Sequence, residues 1–280
     1  MTVESPSVEA RIHEANHRLT AAEKRAARGL LANYPTIGLA PVAEFAQQSG
    51  ASAATVLRFI AQLGFKSYPD FQRCLREELE ERAKSPLQRS LAAVRHETAI
   101  GDFLGDFFAQ VVANMHASAA RIPTSEFEAA SARLADIRRG CHIVGGRFTD
   151  AMAAYMEAHL RLVRPGVRRL DGRPATRNDQ LLDIRADDTV VLFDIRRYDA
   201  DLLEVAASLA ARRAFVVLIT DEWISPLSRY AKIVLPCRIA VDRTWDANTA
   251  IFALTEALIA RATELAWPSA EKRMGSVERN

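Results

Sequence analysis

Five short apolar runs in the second half of the chain constrain its fold more than any other feature. They begin at residues 141, 166, 189, 215 and 231, and they read CHIVGG, GVRRL, TVVLFD, FVVLIT and AKIVLP. Helical patterns fill the remaining stretches, at 150–163, 177–184, 200–212, 225–230 and 246–266. Such alternation is typical of a parallel sheet covered on both faces. The sequence therefore predicts a doubly wound α/β domain in this half.

Ligands of such folds bind at the carboxyl ends of the strands. This rule indicates three loops, at 145–150, 194–199 and 221–226. The second loop reads DIRRYD and alternates aspartate with arginine. Its arginines can bind an anion through charge-assisted hydrogen bonds. The same alternation is also what an internal ion-pair network would look like, and the sequence leaves both interpretations open.

Three helical segments fit residues 20–80. The first starts with the capping box Thr20-x-x-Glu23. The second is PVAEFAQQ and ends at a Ser-Gly pair, and the third begins with Ser52 as N-cap and ends at Gly64. A short helix, a glycine turn and a second helix form the helix-turn-helix arrangement. The N-terminal part is therefore predicted to be an all-helical domain, which is either a DNA-binding domain or a generic three-helix module with a solvated charged face.

The third of these helices has a clearly divided wheel. Val56, Phe59, Ile60 and Leu63 share one side, and small or polar residues share the other, with Thr55 on the flank. An arginine can donate to a guanine edge, Thr and Gln can bond base edges, and a capped helix start attracts phosphate. The predicted DNA-binding residues are Ser52, Thr55, Arg58, Gln62 and Lys66. Residues 16–76 hold eight basic and three acidic side chains, which agrees with a phosphate footprint.

Composition excludes several other classes of protein. The net charge of +2 is that of an ordinary globular protein, and the three cysteines and six histidines show no metal-ligand or disulfide spacing. We therefore expect no metal and no cofactor. The polar N-terminus lacks the apolar core of a signal peptide, and the longest apolar runs are too short to span a membrane. The expected location is the cytoplasm.

Residues 19–79 resemble the N-terminal domain of RpiR-type bacterial transcriptional regulators. The shared features are the LT-x-x-E opening, the x-x-V-A-E-x-A helix, the S-x-A-T-V-x-R-F helix and the LGF-x-x-Y/F-x-x-F ending. The resemblance implies binding to double-stranded DNA at a palindromic operator. It also implies at least a homodimer, with dimer or tetramer left open, because two recognition helices then read two half-sites.

Residues 130–265 resemble the sugar isomerase (SIS) domain, notably in the segment VVLITDEWISPLSRYAKIVLP. In that family, a G-x-G-x-S turn and an S-x-S-G-x-T loop hold a phosphosugar. Here the first turn reads GGRFT, so Thr149 stands for the serine and Arg147 for the second glycine, while the second loop carries charges instead of hydroxyls. We therefore expect a small anionic effector, a sugar phosphate or a carboxylate, at Arg147, Thr149, Asp194, Arg196 and Arg197.

The predicted organisation has four parts. They are a helix-turn-helix domain at 1–82, a helical linker at 83–123, the SIS-like domain at 124–268 and a disordered tail at 269–280. An apolar stripe at 103–112 in the linker is expected to pack against the second domain or a partner subunit.

The predicted function is effector-controlled transcriptional regulation rather than catalysis. Two alternatives remain, a sugar-phosphate isomerase-like enzyme and an effector-free DNA-binding dimer. For the enzyme, the candidate bases His142 and His159 are poorly placed, and Glu222 lies in a strand-end loop, where a lone carboxylate is more often solvated.

Overall fold

The computed structural model describes residues 7–15, 17–32, 34–83 and 102–277. The chain divides into two compact units, 1–88 and 89–280. The first unit is helical, and the second contains a five-stranded parallel sheet with helices. The predicted fold class is confirmed. No helix among the described residues is long and apolar enough to cross a membrane.

Six helices build the described part of the first unit. They are α1 (Val8–Ala15), α2 (Ala21–Ala32), α3 (Thr36–Leu39), α4 (Val42–Ser49), α5 (Ala53–Gln62) and α6 (Tyr68–Ala83). The three predicted segments correspond to α2, α4 and α5, whereas α1, α3 and α6 were not predicted. Helix α1 was missed because its polar composition hides a short apolar face, on which Val8, Ile12 and Ala15 are buried.

Local signals explain where the predicted helices begin and end. The backbone N–H of Thr20 donates to the Glu23 carboxylate at 2.9 Å, and Thr20 Oγ1 accepts from the Glu23 N–H at 3.4 Å, so the capping box is confirmed. Helix α4 ends at Gly50, whose φ of 64° lies in the left-handed region that glycine adopts freely. The Oγ of Ser52 then accepts from the Thr55 N–H at 3.1 Å and starts α5.

All five predicted strands are present in the second unit. They are β1 (Cys141–Gly145), β2 (Val167–Arg169), β3 (Thr189–Asp194), β4 (Phe215–Asp221) and β5 (Ile233–Cys237). Their order across the sheet is β2-β1-β3-β4-β5, and all pairs are parallel. The carboxyl ends of β1, β3 and β4 therefore lie side by side. This places the three predicted ligand loops, 145–150, 194–199 and 221–226, at one edge of the sheet, which we call the ligand edge.

Helices cover both faces of this sheet. The helices are α7 (Phe103–Arg121), α8 (Thr124–Ala135), α9 (Asp150–Val163), α10 (Pro174–Leu182), α11 (Ala200–Ala211), α12 (Thr249–Leu265) and α13 (Trp267–Val277), with a 3₁₀ helix at Pro226–Tyr230. Along β3, Val191 and Phe193 join the core formed with α8, α9 and α12, and Val190 and Leu192 join the core formed with α10 and α11. Burial on both faces explains why the strands are continuous apolar runs.

Two predictions at element ends are wrong. The sequence predicts a helix that is capped by Ser125 and Glu128 and ends at residues 138–140. Helix α8 instead begins at Thr124, after Pro123, without a side-chain cap bond, and it ends at Ala135. The predicted disordered tail is instead helix α13 over most of its length. Ala270 of α13 is fully buried against Val163, and this contact stabilises the helix although its composition is polar.

The apolar stripe at 103–112 lies on helix α7, which belongs to the second unit. Phe107 and Val111 pack against Val241 and Ala247, and the Asn114 amide donates to the Ala240 carbonyl at 2.8 Å. Packing against the second domain is therefore confirmed for one face of α7. Residues 84–101 of the predicted linker lie outside the described residues.

Candidate functional site

Helix α5 has the division of faces that its sequence predicts. Val56, Phe59 and Ile60 are buried in the core of the first unit. The opposite face is exposed, and it consists of Ala54, Leu57, Arg58, Ala61 and Gln62. A helix with one face fixed in a core and a small, polar face in water is able to enter the major groove of DNA.

Helices α2 and α4 of this helix-turn-helix arrangement approach each other closely at Gly29. A Cβ placed on Gly29 of α2 would lie only 2.5 Å from the Cβ of Ser49, at the end of α4. Glycine therefore allows α2 to approach α4 directly before the turn that leads to α5.

The five predicted DNA-binding residues do not share one environment. Ser52, Arg58, Gln62 and Lys66 are exposed. Thr55 is only 6% exposed, and its hydroxyl lies 2.9 Å from Ser52 Oγ and accepts from the Arg58 guanidinium at 3.3 Å. The structure thus places Thr55 beneath Arg58, where it can orient the arginine.

At the ligand edge, Thr149 ties the first loop to β3. Its hydroxyl donates to the Phe193 carbonyl at 2.8 Å and accepts from the Gly146 N–H at 2.8 Å. A Cβ on Gly145 would lie 2.6 Å from backbone atoms of Thr149 and Asp150, so this tight turn requires glycine. The hydroxyl that the sequence assigns to an effector is therefore already bonded within the protein.

Two buried aspartates occupy the ends of β3 and β4. Asp194 accepts from the Ser225 hydroxyl and, at 3.1 Å, from the Asp199 N–H. Burial raises the pKa of Asp194 to about 7, and the neighbouring Asp221 carboxylate also acts to raise this pKa. Asp221 accepts from the Arg196 N–H, from the Tyr198 hydroxyl at 2.9 Å and from the Trp223 N–H at 3.0 Å. Together the two carboxylates hold the loops after β3 and β4.

The three predicted arginines separate into one buried and two exposed side chains. The Arg196 guanidinium donates to Asp246 at 2.6 Å and stacks on the Trp223 ring at 3.8 Å. Arg147 and Arg197 are exposed, and the Arg147 guanidinium lies 5.2 Å from the Phe148 ring centroid. Arg196 thus has the internal ion pair that the sequence left as an alternative, whereas the other two are accessible to a ligand.

A segment that we call the strap, residues 238–248, connects β5 to α12. The buried Glu222 carboxylate accepts from the strap N–H groups of Ile239 at 2.9 Å and Ala240 at 3.3 Å. Further along, Asp246 reaches Arg196 in the loop after β3. Because β5 lies at one edge of the sheet, the strap must pass the carboxyl end of β4 to reach that loop.

The strap also contacts the loop after β1, where Trp245 packs edge-to-face on Phe148 with ring centroids 6.0 Å apart. Both rings are about half exposed or more. Sequence reasoning missed Trp245 because the stretch before it has no periodicity, and it placed Asp246 in a helical pattern, whereas α12 begins only at Thr249. The length of the strap without regular structure was the available signal, since such loops are often functional.

A separate cleft of about 550 Å³ opens at the opposite, amino end of the sheet. Its charged lining is paired, since Arg133 and Arg139 both contact Asp187, and Arg138 contacts Asp136. It is remote from the three predicted loops, and its ion pairs leave little reason to prefer it as the ligand site.

Each of the two units matches the model of a known protein family. Residues 7–82 match the helix-turn-helix domain of the rpiR family, and residues 138–261 match the SIS domain. The chain belongs to the rpiR family. A search among curated proteins finds no match to this RpiR-family chain.

Solved structures with the same fold include a regulator domain, a full-length relative and an enzyme. The sugar isomerase domain of an RpiR transcription factor from Sphaerobacter thermophilus is 21% identical, with a TM-score of 0.59 over 64% of this chain and 100% of that chain. The Vibrio vulnificus NanR protein, complexed with ManNAc-6P, is 14% identical, with a TM-score of 0.54 over 98% of this chain and 97% of that chain. A phosphoheptose isomerase from Francisella tularensis is 13% identical, with a TM-score of 0.51 over 60% of this chain and 100% of that chain.

Proposed function

We propose that this RpiR-family chain is a DNA-binding transcriptional regulator whose SIS domain binds a small anionic metabolite. The observation that carries the proposal is the exposed face of α5, on which Arg58 and Gln62 project among apolar side chains, while the opposite face is buried in a helix-turn-helix unit. In this proposal the protein works in the cytoplasm as a homo-oligomer, and two copies of α5 read the halves of a palindromic operator.

On the DNA side, each proposed residue has a distinct role. Arg58 and Gln62 contact base edges, and Lys66 contacts the phosphate backbone. The start of α5 at Ser52 presents backbone N–H groups to a second phosphate. Thr55 acts indirectly, by holding the Arg58 guanidinium through its hydroxyl.

On the effector side, the Vibrio relative binds a sugar phosphate, and this supports an anionic ligand here. The exposed Arg147 and Arg197 are the proposed anion contacts. Arg196 joins them only if it releases Asp246. Thr149 and Asp194 shape the two loops from within, because their polar atoms bond to the protein itself. A sugar phosphate and a carboxylate both fit this chemistry.

The isomerase alternative is disfavoured by the surroundings of its candidate bases. Both oxygens of Glu222 accept from strap N–H groups. His142 lies near the amino end of β1, with its Nε2 3.7 Å from an Asp188 carboxylate oxygen, and burial lowers the pKa of His142. His159 bonds through Nδ1 to the Tyr155 carbonyl at 2.9 Å. The effector-free dimer has one observation in its favour, the buried Arg196–Asp246 pair.

A DNA selection experiment tests the proposal. The full-length protein is used to select duplexes from a random library, and its affinity for the selected duplex is measured with phosphosugars, sugar acids and dicarboxylates. We expect a palindromic sequence to be enriched, and one class of anion to change the affinity at least about fivefold, as typical allosteric coupling would. Failure to enrich any sequence would contradict DNA recognition. Enrichment without a response to any anion would favour the effector-free dimer.

A further inference from the structure

Helix α7 carries a second apolar face that points away from its own domain. Its residues recur at alternating intervals of three and four, the spacing of a coiled-coil seam. We call this face the outer seam, and it consists of Gly105, Phe108, Val112, Met115 and Ala119. The inner face of the same helix, with Val111, Asn114 and Ser118, is buried in the second unit.

The outer seam leaves a large apolar area in water. The exposed fractions of Phe108, Val112 and Met115 are 58%, 48% and 37%, and neighbouring Leu104 is 64% exposed. Together these side chains expose on the order of 400 Å², a patch size that often marks interaction sites on soluble proteins. A standard interface buries about 800 Å² per partner, so the outer seam and Leu104 together supply roughly half, and Ala109 and His116 lie beside them.

The order of side-chain sizes along the seam reads nearly the same in both directions. It runs small, large, medium, large, small, from Gly105 to Ala119, with Val112 at the centre. In an antiparallel pair of identical helices centred on Val112, Gly105 would face Ala119 of the second copy, and Phe108 would lie between Met115 and His116 of the second copy. A self-complementary patch of this kind is what a two-fold symmetric interface requires.

The charges of α7 favour the same antiparallel arrangement. The helix begins with Asp102 as N-cap and Asp106 in its first turn, ends with Arg121, and has no Asp, Glu, Lys or Arg between Asp106 and Arg121. Antiparallel pairing brings the acidic start of one helix near the basic end of the other. It also places opposite ends of the two helix dipoles together. A parallel pair would instead place like charges side by side.

We propose that the outer seam of α7 binds the outer seam of a second copy of this chain, antiparallel, with the two-fold axis at Val112. The inference rests on the proposed function only for its biological use, which is to bring two recognition helices to one operator. The surface itself is argued from α7 alone.

The first test is the Val112→Lys variant of the full-length protein, measured by sedimentation velocity across a concentration series. Two lysines would meet at the axis, and like charges opposite each other in an interface repel strongly. We expect the dimer to weaken by about a hundredfold or more. Ala113→Lys is the matched control, because residue 113 is exposed on the same helix but lies off the seam, and it should sediment as the wild type does.

The second test places a cysteine at the axis. Val112→Cys should form an intermolecular disulfide under mild oxidation, whereas Ala113→Cys should not. The wild type controls for the partly exposed Cys74, since Cys141 and Cys237 are buried. Wild-type protein that is monomeric at micromolar concentration, a Val112→Lys protein that stays dimeric, or a Val112→Cys protein that fails to cross-link would each overturn the inference. Failure of the proposed function would look different, as a seam-dependent dimer that selects no DNA sequence.

Discussion

Helix α5 and the ligand edge both carry charged and polar side chains. On α5 these side chains face water, whereas several at the ligand edge bond to other residues of the protein. On α5, Arg58 and Gln62 project into water from a helix whose other face is buried. At the ligand edge, Asp194 and Arg196 turn inward and bond to Ser225 and Asp246. The comparison teaches that a polar residue is a better sign of a binding surface on an amphipathic helix than in a strand-end loop.

The physical reason is the geometry of the backbone. Helical periodicity fixes the direction of each side chain, so burial of one face dictates exposure of the other. A loop imposes no such relation, and its charged residues turn inward wherever another loop supplies a partner. The predictions below either break this comparison or sharpen it.

The largest effect is expected for Arg196→Ala. This change leaves Asp246 without its 2.6 Å ion-pair partner and removes the stacking on Trp223. Breaking a buried pair from one side costs roughly 3–5 kcal/mol, which should appear as a lower free energy of unfolding in urea. Arg197→Ala is the matched control, because Arg197 is exposed, and it should change stability by less than about 0.5 kcal/mol. Equal losses of unfolding free energy in the two variants would show that the ion pair of Arg196 does not distinguish it from the exposed Arg197.

The next effect concerns DNA binding by Arg58→Ala. The side chain is exposed, so its loss should leave the melting temperature unchanged. Binding to the selected duplex should weaken by about 1–3 kcal/mol if the guanidinium contacts a base edge. Fluorescence anisotropy with labelled duplex measures the change. Wild-type affinity in this variant would remove Arg58 from the interface.

A smaller effect is expected from the protonation of Asp194. Its pKa of about 7 lies above the value of about 3.9 for an unfolded aspartate, so the folded protein retains a proton that the unfolded chain releases. This stabilisation is complete below about pH 4 and is lost as the pH rises through about 7.

Between pH 6 and pH 8 the loss from Asp194 amounts to about 1.4 kcal/mol. Asp194→Asn cannot titrate, so wild-type stability should fall relative to this variant over that interval. Denaturation in urea at both pH values checks the difference. Parallel stability profiles for the two proteins would show that Asp194 is not the titrating group.

The smallest effect is expected for Lys66→Ala. A lysine beyond the end of α5 should contact phosphate and contribute equally to all sequences. We expect weaker binding to specific and unrelated duplexes alike. The slope of the logarithm of the binding constant against the logarithm of salt concentration should fall in magnitude by about one. Loss of discrimination between the two duplexes would instead place Lys66 among the residues that read bases.

The sequence predicted the parts of the fold in which periodicity and capping act locally. All five strands, the capping box at Thr20 and the buried face of α5 follow from neighbouring residues alone. Helix α13 was missed because the contact that stabilises it, Ala270 on Val163, joins segments far apart in the chain. The start of α8 was assigned to a Ser125 cap, whereas the helix begins after Pro123 without a side-chain cap.

The sequence predicted that the three loops of the candidate site lie at one edge of the sheet, but it predicted the partners of their side chains only in part. Parallel-sheet topology was enough to bring the loops at Thr149, Asp194 and Asp221 to one edge. The pairing of Arg196 was one of two open interpretations, and its partner Asp246 lies fifty residues further along in the strap. No local pattern identifies such a partner, because the pair exists only once β3 and the strap are assembled.

The strap affects the concentration at which an anionic ligand could bind Arg196. A carboxylate tethered next to a guanidinium acts as a permanent competitor, with an effective concentration of about millimolar or higher for a short tether. An external carboxylate of equal intrinsic affinity must exceed that concentration before it displaces Asp246 from Arg196. For such a ligand the tether would set a concentration threshold, and a substitution of Asp246 would lower it without changing any residue of the loops after β1 and β3.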